Sequence, residues 1–192
     1  MTQDAHIPRA RSQLHEVVAA QDGYFSAEQA QDAGYSAQLL RYHCQTGKFQ
    51  RVRRGIYRVA EYPPGEREDL VILWLWSGRL GVFSHGTALS LHELSDLLPD
   101  RVHMTLPESQ RKRLRKTPPG LMLHYRDLAE SEHEWHGNIP VTSPRRTLLD
   151  GVADALSPDL LRQALEQAVE RGLLDVASIT EIARGIDELE RG

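Results

Sequence analysis

Cysteine is almost missing from this chain of 192 residues: Cys44 is the only one. A lone thiol forms no internal disulfide and cannot build a multi-cysteine zinc site, which suits a reducing compartment. Long apolar stretches are missing as well. The longest uninterrupted run, residues 70–76, has seven residues, where a membrane-spanning helix needs about 20. The first residues, MTQD, offer no basic segment leading into an apolar core, so no secretory signal is read there. A soluble, cytoplasmic protein without membrane association is expected. Lysine occurs only at positions 48, 112 and 116, and the residues two places before them are Thr46, Gln110 and Leu114. The acid-x-lysine element of a nuclease is therefore absent.

With 40% hydrophobic and 26% charged residues, a chain of this length buries roughly 70% of its unfolded surface and forms one or two packed domains. Its net charge of −4 conceals a gradient. Residues 1–62 carry 8 basic and 6 acidic groups, residues 63–150 carry 11 and 12, and residues 151–192 carry 4 and 9. Within the first third, residues 36–58 hold Arg41, Lys48, Arg51, Arg53, Arg54 and Arg58 and no acid. A positive island in an acidic protein points to a polyanionic partner. A second cluster, Arg111, Lys112, Arg113, Arg115 and Lys116, lies between Pro107 and Pro118 with almost no apolar residues. It reads as an exposed loop and as a candidate secondary nucleic-acid contact.

Residues 8–21 space Leu14, Val17, Val18 and Ala20 at helical intervals, with Pro8 suited to a first turn. Ser26 followed by Gln29 has the capping-box pattern, so a short helix is expected over 27–33, ended by Gly34. Ser36 then caps a third helix over 37–46, which Gly47 closes. The segment FQRVRRGIYRV, residues 49–59, places two β-rich stretches around Arg54-Gly55 and reads as a small hairpin. Tyr62-Pro63-Pro64-Gly65 has linker chemistry, which sets an expected domain boundary between residues 62 and 63.

Beyond the linker, helices are expected over 66–77, with Trp74 and Trp76 in the core, and over 84–94. Alternating apolar residues at 102–106 and 121–125, with Ile139 and Val141, read as strands of a mixed sheet. Ser143-Pro144 opens a helix to about 155, and two more follow near 158–171 and 176–189. The expected fold class is α+β: a winged helix-turn-helix domain over 1–62, then a mixed α/β domain over 63–192 with a small sheet and C-terminal helices.

Three short helices followed by a basic hairpin is the order of a winged helix-turn-helix, whose third helix enters the major groove of duplex DNA while the hairpin follows the backbone. At 100° per residue from Gln38, Arg41 falls at about 300°, Gln45 at about 340° and Tyr42 at about 40°, whereas Leu39, Leu40, His43 and Cys44 fall between about 100° and 240°. The polar arc therefore offers an Arg for guanine, two Gln for adenine, and a Tyr for a phosphate or a thymine methyl. His43 and Cys44 are read as core-facing. Together with Ser36 and Lys48, the arginines 51, 53, 54 and 58 complete the candidate DNA-binding set, neutralising phosphates with little sequence choice.

Arg145 and Arg146 sit in the first turn of a helix, where positive charge opposes the macrodipole. Either Asp150 one turn on pairs with them or a nucleic-acid phosphate does. Enzyme signatures are weak. His92-Glu93 begins a zinc-protease pattern, but Asp96 stands where the second ligand is needed, and His133 and His136 lie in a polar, exposed loop. The nine histidines read as scattered, with no metal or cofactor expected. VFSHG lacks the first glycine of a nucleophile elbow, and Ser84 reads as a helix N-cap. No enzyme activity is expected.

Residues 23–59, GYFSAEQAQDAGYSAQLLRYHCQTGKFQRVRRGIYRV, resemble the N-terminal winged helix of the AbiEi-type antitoxins of bacterial type IV toxin-antitoxin systems. FSHGTALSLHELSD (83–96), RVHMTLP (101–107) and VTSPRRTLLDGVA (141–153) resemble that family's second domain. The resemblance implies a repressor that binds inverted repeats in its own promoter, and a second domain that counters a nucleotidyltransferase-like toxin without requiring a stable complex. The alternatives are a winged-helix regulator with no toxin partner and a nucleic-acid-processing enzyme.

Overall fold

A computed structural model describes residues 6–96, 99–112 and 116–191. The chain forms two compact units, Met1–Arg79 and Leu80–Gly192. Eight α-helices and two sheets among the described residues give a mixed α/β protein.

The first unit runs α1 (His6–Ala20), β1 (Tyr24–Ser26), α2 (Ala27–Asp32), α3 (Ala37–Gln45), β2 (Phe49–Arg53), β3 (Ile56–Val59) and α4 (Glu68–Trp76). The helix starts follow their expected chemistry. Gln29 N donates to Ser26 Oγ at 3.1 Å while Ser26 N donates to Gln29 Oε1 at 2.9 Å, and Leu39 N donates to Ser36 Oγ at 3.1 Å. Hydroxyl caps of this kind satisfy amides that have no partner inside the helix. The three strands pair antiparallel in the order β1-β3-β2. Gly55 takes φ +77° in the hairpin turn, and the register slips between Arg51 and Arg53, leaving Val52 out of the pairing. Leu14, Val18, Phe25, Ala30, Ala33, Tyr35, Leu40 and Phe49 form the core. This is the winged helix-turn-helix arrangement, with β1 added as a third strand that three residues cannot announce by periodicity.

The compact units divide at 79/80, not after residue 62. The physical reason is α4, which contacts β1 and β3 and buries Val71, Leu73, Trp74 and Leu75. Tyr24 Oη, on β1, donates to the carboxylate of Glu68 on α4. Burial, followed by that carboxylate, pushes the Tyr24 hydroxyl up to about 12, against the opposing pull of Arg58.

Gly23 ends the α1 turn with φ +87°, and a Cβ built there would stand 2.5 Å from Tyr62 Cβ and 2.8 Å from its Cγ. An L-residue in the left-handed region costs about 1–2 kcal/mol before any collision. Gly23→Ala is therefore expected to destabilise the first unit by more than about 2 kcal/mol. Urea denaturation followed through this unit's signal checks it; a loss below half that figure would mean that Tyr62 moves aside freely.

The second unit comprises β4 (Val82–Phe83), α5 (His85–Leu91), β5 (Val102–Leu106), β6 (Leu121–Tyr125), β7 (His133–His136), β8 (Ile139–Thr142), α6 (Pro144–Ala153), α7 (Pro158–Glu170) and α8 (Val176–Arg191). Its sheet has the order β6-β5-β4-β8-β7, parallel at β5/β6 and β4/β8 and antiparallel elsewhere. Leu89, Leu94, Leu148, Leu161, Ala164, Ala168, Ile182 and Ile186 pack the four helices together. Ser143 caps α6, accepting from Arg146 N at 3.3 Å, with Pro144 in its first turn. Two expectations are corrected. His133 and His136 lie on β7 rather than in a loop, paired with Thr142 and Ile139 of β8. Ser84 stands at the start of α5 but makes no side-chain cap; its hydroxyl accepts from Thr105 Oγ1 at 2.8 Å instead.

Candidate nucleic-acid interface

The third helix displays the arc drawn from its sequence. Gln38, Arg41 and Gln45 are exposed and Tyr42 is 57% exposed, while Leu40 is buried and Leu39 and Cys44 pack against the core. His43 lies against Phe49, with ring centroids 5.1 Å apart, and against Tyr35 at 5.8 Å. Burial raises the Cys44 thiol above its ordinary pKa. Both residues therefore keep the core-facing place expected of them. Ser36 is exposed, with its hydroxyl engaged as the α3 cap.

Arg51 joins this helix face. It lines, with Gln31, Ser36, Ala37, Arg41 and Tyr57, a cleft of about 490 Å³, because the hairpin register puts it opposite Tyr57, a partly buried ring packed on the core. Arg53 and Arg54 are exposed at the hairpin tip, where the slip in register sets Arg53 opposite Ile56. Arg41, Arg51, Arg53 and Arg54 take part in none of the ion pairs among the described residues. Four cations without acidic neighbours form a field that attracts polyanions.

Two of the predicted residues stand apart from this face. Arg58 follows Tyr57 on β3, so it points to the other side of the sheet, beside Tyr24, and donates to Gln50 Oε1 at 3.2 Å. Lys48 is half-buried and lines a different cleft with His15, Glu61 and Tyr62.

In the second basic set the arginines Arg111, Arg145 and Arg146 are matched by acids. Arg111 grips Glu108 through Nε at 2.8 Å and Nη2 at 2.7 Å, and its guanidinium lies 5.1 Å from the Tyr125 ring centroid. Lys112 and Lys116 are exposed, whereas Arg113 and Arg115 lie outside the described residues. Arg145 bonds Glu181 at 2.6 Å. Arg146 is not a surface cation: its side chain is 9% exposed and pairs with Asp150 at 2.7 Å and with Glu132 at 3.4 Å. Of the two readings offered for it, the internal pair with Asp150 is the one found.

The histidines are not all scattered. Three of them, His85, His103 and His124, converge in the second unit. They are 18 and 21 positions apart in the chain, too far for a local motif, and only the β5/β6 register joins the latter two. Burial holds His85 down to about 3 and lowers His103 and His124 as well, so these rings are neutral at pH 7. By contrast His92, the start of the apparent zinc-protease pattern, is buried with Nε2 2.7 Å from the Thr142 carbonyl.

Residues 12–60 match the family model described as "Transcriptional regulator, AbiEi antitoxin". The matched segment covers most of α1, then α2, α3 and the wing, but not α4, and agrees with the resemblance read from residues 23–59. The chain is also similar to the crystal structure of the RV2827C protein from Mycobacterium tuberculosis, at 17% identity and a TM-score of 0.45, over 92% of this chain and 79% of that one. No curated protein matches the chain. No helix among the described residues is long and apolar enough to cross a membrane.

Proposed function

We propose that this chain, whose residues 12–60 match an AbiEi antitoxin regulator, is the antitoxin of a type IV toxin-antitoxin system. Its winged helix binds inverted repeats in its own promoter and represses it. Its second unit, residues 80–192, counters a nucleotidyltransferase-like toxin, without catalysis and without a stable complex. The observation that carries the DNA half is a clustering of exposed, unpaired arginines: Arg41, Arg51, Arg53 and Arg54 lie on one helix face and the adjoining hairpin, enter no ion pair among the described residues, and fall in a stretch, residues 36–58, that holds no acid. The toxin half is supported by the description of the matched family as an antitoxin, a match that covers residues 12–60.

A promoter footprint with the full chain tests repression, and co-expression with the neighbouring reading frame tests toxin neutralisation. Protection of inverted repeats together with restored growth is expected. Protection without restored growth would leave a regulator that has no toxin partner. Metal-dependent turnover of labelled DNA or RNA would instead reveal an enzyme.

Base reading by α3 has its own check. Arg41→Ala is expected to cost about 1–3 kcal/mol at one base position and to relax the preference there. Titrations against the operator and single-base variants measure this. Equal losses on operator and random duplexes would remove Arg41 from base reading.

A further inference from the structure

The ring nitrogens offered by His85, His103 and His124 all lie within 4.8 Å of one another. His103 Nδ1 and His124 Nε2 are 3.0 Å apart, and the His85 and His124 rings stack with centroids 3.6 Å apart and planes 15° from parallel. A carboxylate stands beside one of the three rings: Asp154 Oδ2 is 3.3 Å from His85 Nε2. We propose that His85, His103 and His124, with Asp154 as fourth ligand, form a binding site for a divalent transition metal of the zinc type.

The spacing fits. Two donors about 2.1 Å from a tetrahedral ion stand roughly 3.4 Å apart, so the Asp154–His85 separation of 3.3 Å already matches, the His103–His124 pair at 3.0 Å must open by a few tenths, and the stacked His85 and His124 rings must turn out of parallel for their in-plane lone pairs to meet at the ion. Imidazole-rich sets with one carboxylate select zinc, nickel or copper over calcium and magnesium, which take oxygen donors.

The surroundings are those of a held ligand rather than of a ring that merely fills space. His85 Nδ1 lies 2.9 Å from Ser84 Oγ, which itself accepts from Thr105. Hydroxyls donate or accept as needed, so this pair can accept the Nδ1 proton of a metallated His85 and fix the Nε2 edge toward Asp154. His85 also holds φ +52°, a left-handed conformation that few non-glycine residues adopt. The register places His103 and His124 on one face of the β5/β6 pair, since Thr105 is the partner of His124 and shares its face with His103. Of the cations near the cluster, Arg146 has its charge taken up by Asp150 and Glu132, while Arg126 and Arg101 enter no ion pair among the described residues. His85, His103 and Asp154 border a cleft of about 320 Å³ with Leu89, Leu156 and Leu160, which supplies an entry path.

The test uses the full chain, stripped with a chelator and titrated with Co2+ and then Zn2+. Wild type is expected to take up one equivalent of Co2+, to show the intense visible absorption of tetrahedral nitrogen and oxygen ligation, and to lose that absorption to one equivalent of Zn2+. His103→Ala and His124→Ala should each weaken uptake at least tenfold, and Asp154→Asn should weaken it similarly. His15→Ala, an exposed histidine of the other unit, should change nothing. Circular dichroism establishes that each variant is folded, and the wild-type titration stands without the variants. No stoichiometric uptake by wild type, a thiolate-to-cobalt band from Cys44, or unchanged uptake in folded His103→Ala would each overturn the proposal.

Discussion

Arg146→Ala is expected to destabilise the second unit by about 3–5 kcal/mol, the largest single-residue effect in the molecule. The Arg146 and Asp150 side chains are only 9% and 6% exposed, and their 2.7 Å contact is the main compensation for taking both charges out of water. Truncating the arginine leaves the Asp150 carboxylate buried beside a void. Burial already raises the Asp150 pKa, and the guanidinium is the chief force holding it down. Without Arg146 the carboxyl takes up a proton, which caps the penalty but does not abolish it. Glu132 loses its arginine partner too. The double variant Arg146→Met with Asp150→Leu should recover most of the loss, because apolar side chains of similar volume carry no desolvation cost. Urea denaturation of the three proteins checks both statements. Since two units melt in one chain, the transition of the second must be followed separately. A single-variant loss under about 1 kcal/mol would mean that Asp150 is not left stranded when the arginine goes.

Replacing Arg51, Arg53 and Arg54 together by alanine should flatten the dependence of log K on log salt by about 2.7, at about 0.9 for each phosphate left without its arginine. Between roughly 50 and 200 mM salt, wild type would then lose about 40-fold more affinity than the variant does. The effect should be alike on operator and random duplexes, because backbone contacts carry no sequence information. Arg58→Ala is the internal control. Arg58 carries the same charge only five residues beyond Arg53, but it faces Tyr24 and Gln50, so its removal should leave the salt slope in place. An unchanged slope in the triple variant would take the hairpin off the DNA backbone.

The first unit was legible because its signals are local. Capping hydroxyls at Ser26 and Ser36, glycine after each short helix and a hairpin around Gly55 all act within a few residues, and the structure reproduces them. The polar arc of α3 was legible for the same reason, since 100° per residue is all it needs. Charge alone could not sort the basic residues. Arg58 and Lys48 carry the same sign as Arg54, and only strand alternation and the packing around Glu61 show that they face elsewhere. Longer-range facts were out of reach. β1 and β4 are too short for a period, β7 is polar because it is an outer strand of its sheet, and the convergence of His85, His103 and His124 exists only once the strands have paired.

The hydrophobic helix α4 also decides where the molecule can be cut. Its side chains cover β1 and β3 on the face that carries Tyr24, Ile56 and Arg58. A fragment that stops at the proline-rich turn would strip this roof and bare Ile56, which is 2% exposed in the intact protein. Such a piece invites aggregation, and its failure to bind would say nothing about the intact wing. A fragment made to test DNA binding should therefore run to residue 79, where the first compact unit ends.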